Sequence, residues 1–148
     1  MDRNNKLALN SIKLTLLLSF LLFGCVGQAP KRNEMIGAWN SSDGGMFLFN
    51  ENGSFSGKSL PAKYFTYFTS ENEVLNKKVN GRGKWKLEKE NGFWRIQLEF
   101  ENIDGRPLAG LYYLLISGQT GILENKPPWY LFVWKDDVGG EKYKFQRE

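Results

Sequence analysis

The stretch GKWKLEKENGFWRIQLEFEN, Gly83–Asn102, decides how the chain is read. On its first arm Trp85 and Leu87 share a face, with Lys84, Lys86 and Glu88 opposite. On its second arm Trp94, Ile96, Leu98 and Phe100 point one way, and Arg95, Gln97, Glu99 and Glu101 the other. Strict alternation of apolar and polar residues marks strands with one dry and one wet side. A helix would scatter the same residues around its axis. Asn91-Gly92 between the arms is a pair that tolerates positive φ and closes a tight hairpin.

Working outward, similar turn pairs recur at Asn52-Gly53, Asn80-Gly81 and Asp104-Gly105. Further strands fit Ile36–Ser41, Gly45–Asn50, Ser54–Lys58, Gly110–Ser117, Gly121–Glu124, Tyr130–Lys135 and Glu141–Arg147. Short connections make sequence neighbours pair antiparallel. The expectation is an all-β chain whose roughly eight strands close into an up-and-down barrel, which removes exposed edges. An open sheet or small sandwich is the alternative.

Two strands, LYYLLI and WYLFVW, are apolar on both faces and need cover outside as well as inside. The segment Ser59–Asn80 breaks the alternation. It holds the aromatics Tyr64, Phe65, Tyr67 and Phe68, then Ser70-Glu71-Asn72-Glu73, a capping-box pattern that predicts a short helix. It could supply that cover. Otherwise the apolar outer faces form a partner surface.

The N-terminus has a different character. A polar, basic start (Arg3, Lys6, Lys13) leads into LTLLLSFLLF, Leu14 to Phe23. This order is that of a secretory signal. A membrane-spanning helix needs about 20 apolar residues, and this run is shorter. Leu22-Phe23-Gly24-Cys25 resembles the lipobox of bacterial lipoproteins. The resemblance implies diacylglycerol on the thiol of Cys25, the only cysteine, and cleavage before it. It also implies attachment to the cell membrane, and to the outer membrane if the cell is Gram-negative, because Val26 is not Asp. Residues 1–24 then form the signal peptide, 25–35 a lipidated tether, and 36–148 the β domain. Two or more acyl chains anchor a protein firmly where one does not.

The mature chain resembles lipocalin-like (calycin) small β-barrels. Gly37-Ala38-Trp39 matches the Gly-x-Trp of their first strand. Arg147, ending Tyr143-Lys144-Phe145-Gln146-Arg147, matches the arginine that lies across that tryptophan and closes the barrel. The series GAW, GGMFLFNENGSF, GRGKWKL and YLFVWKDDVGGEKYKFQR also resembles a group of uncharacterised small secreted bacterial proteins.

Composition excludes more than it assigns. Histidine is absent, which removes the usual general base and the commonest metal ligand. The formal charge is +4, but part of it sits in the leader, so support for nucleic-acid binding falls. In Lys84-Trp85-Lys86, alternation sends the indole inward and the lysines outward. Asp136-Asp137-Val138-Gly139-Gly140-Glu141 lacks the spacing of a calcium loop and reads as a turn. Glu99 and Glu101 read as a solvated face, and Gly81-Arg82-Gly83 as a turn before Trp85. No catalytic residue, metal site or cofactor is expected. The leading expectation is a membrane-tethered envelope protein that binds another envelope protein. The alternative is a carrier of a small apolar molecule, its pocket lined by Phe47, Phe49, Phe55, Trp85, Trp94, Ile96, Phe100 and Tyr113 beside Trp39.

Overall fold

The computed structural model describes residues 28–65, 77–118, 127–135 and 140–147. The leader, Cys25, Gly121–Glu124, the capping box at Ser70–Glu73 and the Asp136-Asp137 pair all lie outside the described residues.

Eight strands close into an antiparallel up-and-down barrel, each paired with its sequence neighbour and the last with the first. They are β1 (Gly37–Asn40), β2 (Met46–Phe49), β3 (Ser54–Pro61), β4 (Lys78–Glu90), β5 (Phe93–Ile103), β6 (Arg106–Ile116), β7 (Tyr130–Trp134) and β8 (Lys142–Gln146). Closure eliminates the open-sheet and sandwich alternatives. Among the described residues, two one-turn helices accompany the strands, α1 (Arg32–Met35) and α2 (Ala62–Phe65).

The β4–β5 hairpin is the longest pairing and follows the alternation. Trp85 pairs with Leu98 and Leu87 with Ile96, while Lys86 pairs with Gln97 on the wet side. Its turn uses Asn91 at φ 49° and Gly92 at φ 87°, as that residue pair favours. Asp104-Gly105 turns β5 into β6 the same way, at φ 48° and 80°.

Asn80-Gly81 is not a turn: both residues lie inside β4. The Asn80 side chain instead accepts the Ser59 N–H at 3.0 Å, and its own N–H donates to Asp104 at 2.8 Å. Gly81 is small because the Phe100 ring occupies the space where a Cβ would stand. Gly81-Arg82-Gly83 likewise carries a strand irregularity rather than a turn, with the β4–β5 register shifting between Arg82 and Gly83.

Two boundaries differ from expectation. β3 runs on to Pro61, and α2 then inserts Phe65, fully buried, among the core rings. This described part of Ser59–Asn80 plugs the barrel rather than covering an outer strand face. Residues within the expected 25–35 segment also pack on the barrel. Met35 is fully buried, the Arg32 guanidinium lies 4.8 Å from the Trp85 ring centre, and Glu34 accepts the Trp129 indole N–H at 3.2 Å. These contacts fasten α1 to the barrel.

Gly83 tests the β4–β5 packing. A Cβ there would stand 1.9 Å from the Glu99 carbonyl oxygen, which is backbone and cannot rotate away. Gly83→Ala should cost about 3 kcal/mol or more, at the upper end for overpacking. Urea denaturation checks it, with Lys84→Ala, on the exposed face, as a control near zero.

Candidate functional site

Three regions hold the side chains that bear on function: the barrel interior and its two ends. A fourth, the outer face of β5–β7, emerges from the strand register.

Among the described residues the interior is aromatic and closely packed. Phe47 stacks on Phe49 at 5.6 Å between ring centres and meets Phe55, Phe65 and Phe145 at 6.0, 5.4 and 4.9 Å. Phe49 touches Trp85 at 5.2 Å, and Phe55 meets Phe100 edge-on at 5.0 Å. Of the expected pocket lining, Phe47, Phe49, Phe55, Trp85, Ile96 and Phe100 all face inward and are buried. They pack on one another. Trp94 is half-buried at the rim, with the Lys89 ammonium 5.7 Å from its ring centre.

Tyr113 is misplaced in that set. It faces outward, and Tyr112 takes the inward position against Phe100 at 5.3 Å. LYYLLI is apolar on both faces, so alternation leaves its phase open. The register with β5 sets it: Gln97 pairs with Tyr113 and Leu98 with Tyr112.

At one end Trp39 and Arg147 lie side by side. Arg147 lies 5.7 Å from the Trp39 ring centre and donates to the Glu34 carbonyl at 3.0 Å. The fully buried Trp39 donates its indole N–H to the Met35 carbonyl at 2.8 Å. Such a stack contributes about 0.5 to 2 kcal/mol.

The opposite end holds a polar cluster that sequence reasoning missed. Ser41 Oγ donates to Asp43 at 2.6 Å, Tyr143 Oη also donates to Asp43, and Lys78 forms an ion pair with it. The partners lie up to 100 residues apart, so no local pattern announces them. Burial pushes the Asp43 carboxyl up. The hydrogen bonds from Lys78, Ser41, Tyr143 and the Gly45 N–H outweigh it and hold the group well below the usual carboxylate range. Burial, with the adjacent Asp43 carboxylate, pushes the Tyr143 phenol up.

On the outer face, Leu111 and Tyr113 stand exposed on β6. The Arg95 guanidinium lies 3.8 Å from the Tyr113 ring centre and is held by Glu88 at 2.7 Å and by Glu90. A shallow groove of about 780 Å³ runs beside Leu111, lined by Gln97, Glu99, Glu101, Phe100, Pro107 and Gly110. Glu99 and Glu101 are exposed, as the alternation predicts. Trp134 is exposed on β7, with Lys142 5.3 Å from its ring centre.

No family model, no curated protein and no solved structure matches this chain.

The Asp43 cluster has a pH signature. A carboxyl held below its unfolded value of about 3.9 stabilises the fold above that pH, and the contribution is lost as the pH falls through the folded value. Wild type should therefore lose thermal stability below about pH 4 more steeply than Asp43→Asn. Melting curves between neutral and acid pH read the difference, and parallel curves would refute it.

Proposed function

We propose that the protein is a lipid-tethered interaction protein of the cell envelope, without catalytic activity. Its anchor is acylated Cys25, and it grips another envelope protein through the outer face of β5–β7. The observation that carries this reading is the pairing of a filled interior with an exposed apolar outer face. The phenylalanines that would line a carrier's pocket are engaged with each other at 4.9 to 6.0 Å. Leu111 and Tyr113, by contrast, are 45% and 36% exposed beside a groove. Exposed aliphatic and aromatic side chains with a polar rim are what protein interfaces bury. Arg95, pinned by two carboxylates under Tyr113, fixes that ring and lowers the entropy lost on docking.

The lipobox-like sequence at Cys25 supports the address, and the lack of histidine supports a non-catalytic role. α1 fastens to the barrel from Lys31 onward, so only a few residues separate the body from Cys25. A partner would therefore be met close to the membrane surface.

Native mass spectrometry of the protein purified from its own cells tests the reading. A stoichiometric protein partner is expected, lost in Leu111→Glu, while that exposed substitution changes stability by about 0.5 kcal/mol or less. A co-purifying apolar small molecule in place of a protein would overturn it in favour of the carrier. For the anchor, Cys25→Ser should abolish lipid labelling, and unchanged labelling would refute the attachment site.

A further inference from the structure

The mouth of the barrel beside Asp43 opens into a cleft of about 570 Å³. Six lysines line it: Lys63, Lys77, Lys78, Lys135, Lys142 and Lys144. They arrive from separate elements, Lys63 on α2, Lys77 and Lys78 at the start of β4, Lys135 just after β7, and Lys142 and Lys144 on β8. Asp43 is the one carboxylate among the described lining residues. Its oxygens are already engaged by Lys78, Ser41 and Tyr143. Lys135 is paired with Glu141 at 3.1 Å. Among the described residues, Lys63, Lys77 and Lys144 have no carboxylate within 4.0 Å.

This concentration is not a by-product of a basic chain. Residues 25–148 carry 17 basic and 15 acidic groups. Among the described residues, with the cleft's six lysines and Asp43 set aside, 10 basic groups face 8 acidic ones. Among the described residues the cleft thus carries a formal +5 where all the others together carry +2, so the positive charge gathers at one concave place. Like charges held together by a fold oppose folding unless an anion relieves them, and a concave wall focuses their field.

We propose that this cleft is a binding site for a phosphate-bearing anion. Its cations are all lysines. Several ammonium point charges suit the oxygens of one or more phosphates, whereas the planar fork that matches a single carboxylate belongs to arginine. Tyr64 and Pro61 form a less polar wall, and Asn40 and Gln146 add neutral hydrogen-bonding groups, so the anion can carry an organic moiety. The volume falls within the range of small-molecule sites. Both a free phosphate compound and a lipid headgroup offer this chemistry. The site stands on the cleft alone and holds whether or not Cys25 is acylated.

The test uses the full chain in neutral detergent, titrated with sodium tripolyphosphate by calorimetry. Saturable binding is expected that weakens as salt is raised. The triple variant Lys63→Gln/Lys77→Gln/Lys144→Gln should weaken it at least ~10-fold, in line with losing several charge-assisted contacts. Lys84→Gln/Lys86→Gln/Lys89→Gln removes the same formal charge from β4, away from the cleft, and should change binding less than ~2-fold. All six side chains are on exposed or half-buried residues, and melting curves confirm that both variants fold. A second arm measures binding to phosphatidylcholine vesicles with and without phosphatidylglycerol, where leader and anchor contribute equally to every variant. A cleft-dependent gain on anionic vesicles alone assigns the site to lipid headgroups, and cleft-dependent tripolyphosphate binding alone assigns it to free phosphates. Absence of saturable binding in both arms, or equal losses in the two triple variants, would overturn the proposal.

Discussion

Ring-to-ring packing inside a narrow barrel is the constraint on which the rest depends. An eight-stranded barrel is just wide enough for side chains to fill it. Here Phe47 occupies the middle and touches four other phenylalanines. The surrounding small residues complement those rings. A Cβ at Gly57 would meet Leu60 and Phe47, and one at Gly81 would meet Phe100. Large and small positions are thus matched across the barrel, as close packing requires. With the interior committed to cohesion, the side chains left to solvent stand at the ends and on the outer face.

How much of this was legible in the sequence depended on whether a residue's neighbours were local. The β4–β5 hairpin could be read because each arm alternates cleanly and Asn91-Gly92 names its own turn. The barrel follows from repeating that pattern, and Trp39 and Arg147 are picked out by the resemblance of Gly37-Ala38-Trp39 and the C-terminal arginine to lipocalin-like barrels. Tyr113 was misread because LYYLLI has no polar face to set its phase. That information resides in β5, whose Gln97 and Leu98 dictate which tyrosine turns inward. Asn80-Gly81 carried a turn's composition, but its amide was recruited by Ser59 and its missing side chain by Phe100, both distant in sequence. The lysine cleft was invisible for the same reason: no two of its charged elements except Lys77-Lys78 are adjacent in the chain, and each lysine alone reads as a solvated surface residue.

The interior and the surface follow different rules on the same strands. On β8, Tyr143 and Phe145 are buried while Lys142 and Lys144 point outward into the cleft region. On β5, Ile96 and Leu98 fill the core while Gln97 and Glu99 face the groove beside Leu111. Because alternation separates the two faces, the outward residues can change chemistry without a gap opening in the core. This is how one barrel can present an acidic-rimmed apolar groove on one side and a cationic cleft elsewhere.

The seam between β1 and β8 shows how the two ends serve the fold as well as recognition. The seven other strand contacts are ladders of two to ten residue pairs, but β1 meets β8 at the single pair Asn40 and Gln146. Side chains make up the deficit on both sides of that pair. Below it, Arg147 spans Trp39 and the Glu34 carbonyl. Above it, Tyr143 of β8 bonds to Ser41 at 2.8 Å and to Asp43, both just beyond β1. The Asp43 carboxylate therefore has two tasks: it staples the seam through Tyr143, and it holds Lys78 at the cleft. An anion entering the cleft would draw on Lys78 and thereby act on the hydrogen bonds that close the barrel. Occupancy of the mouth would then be felt at the seam through one carboxylate.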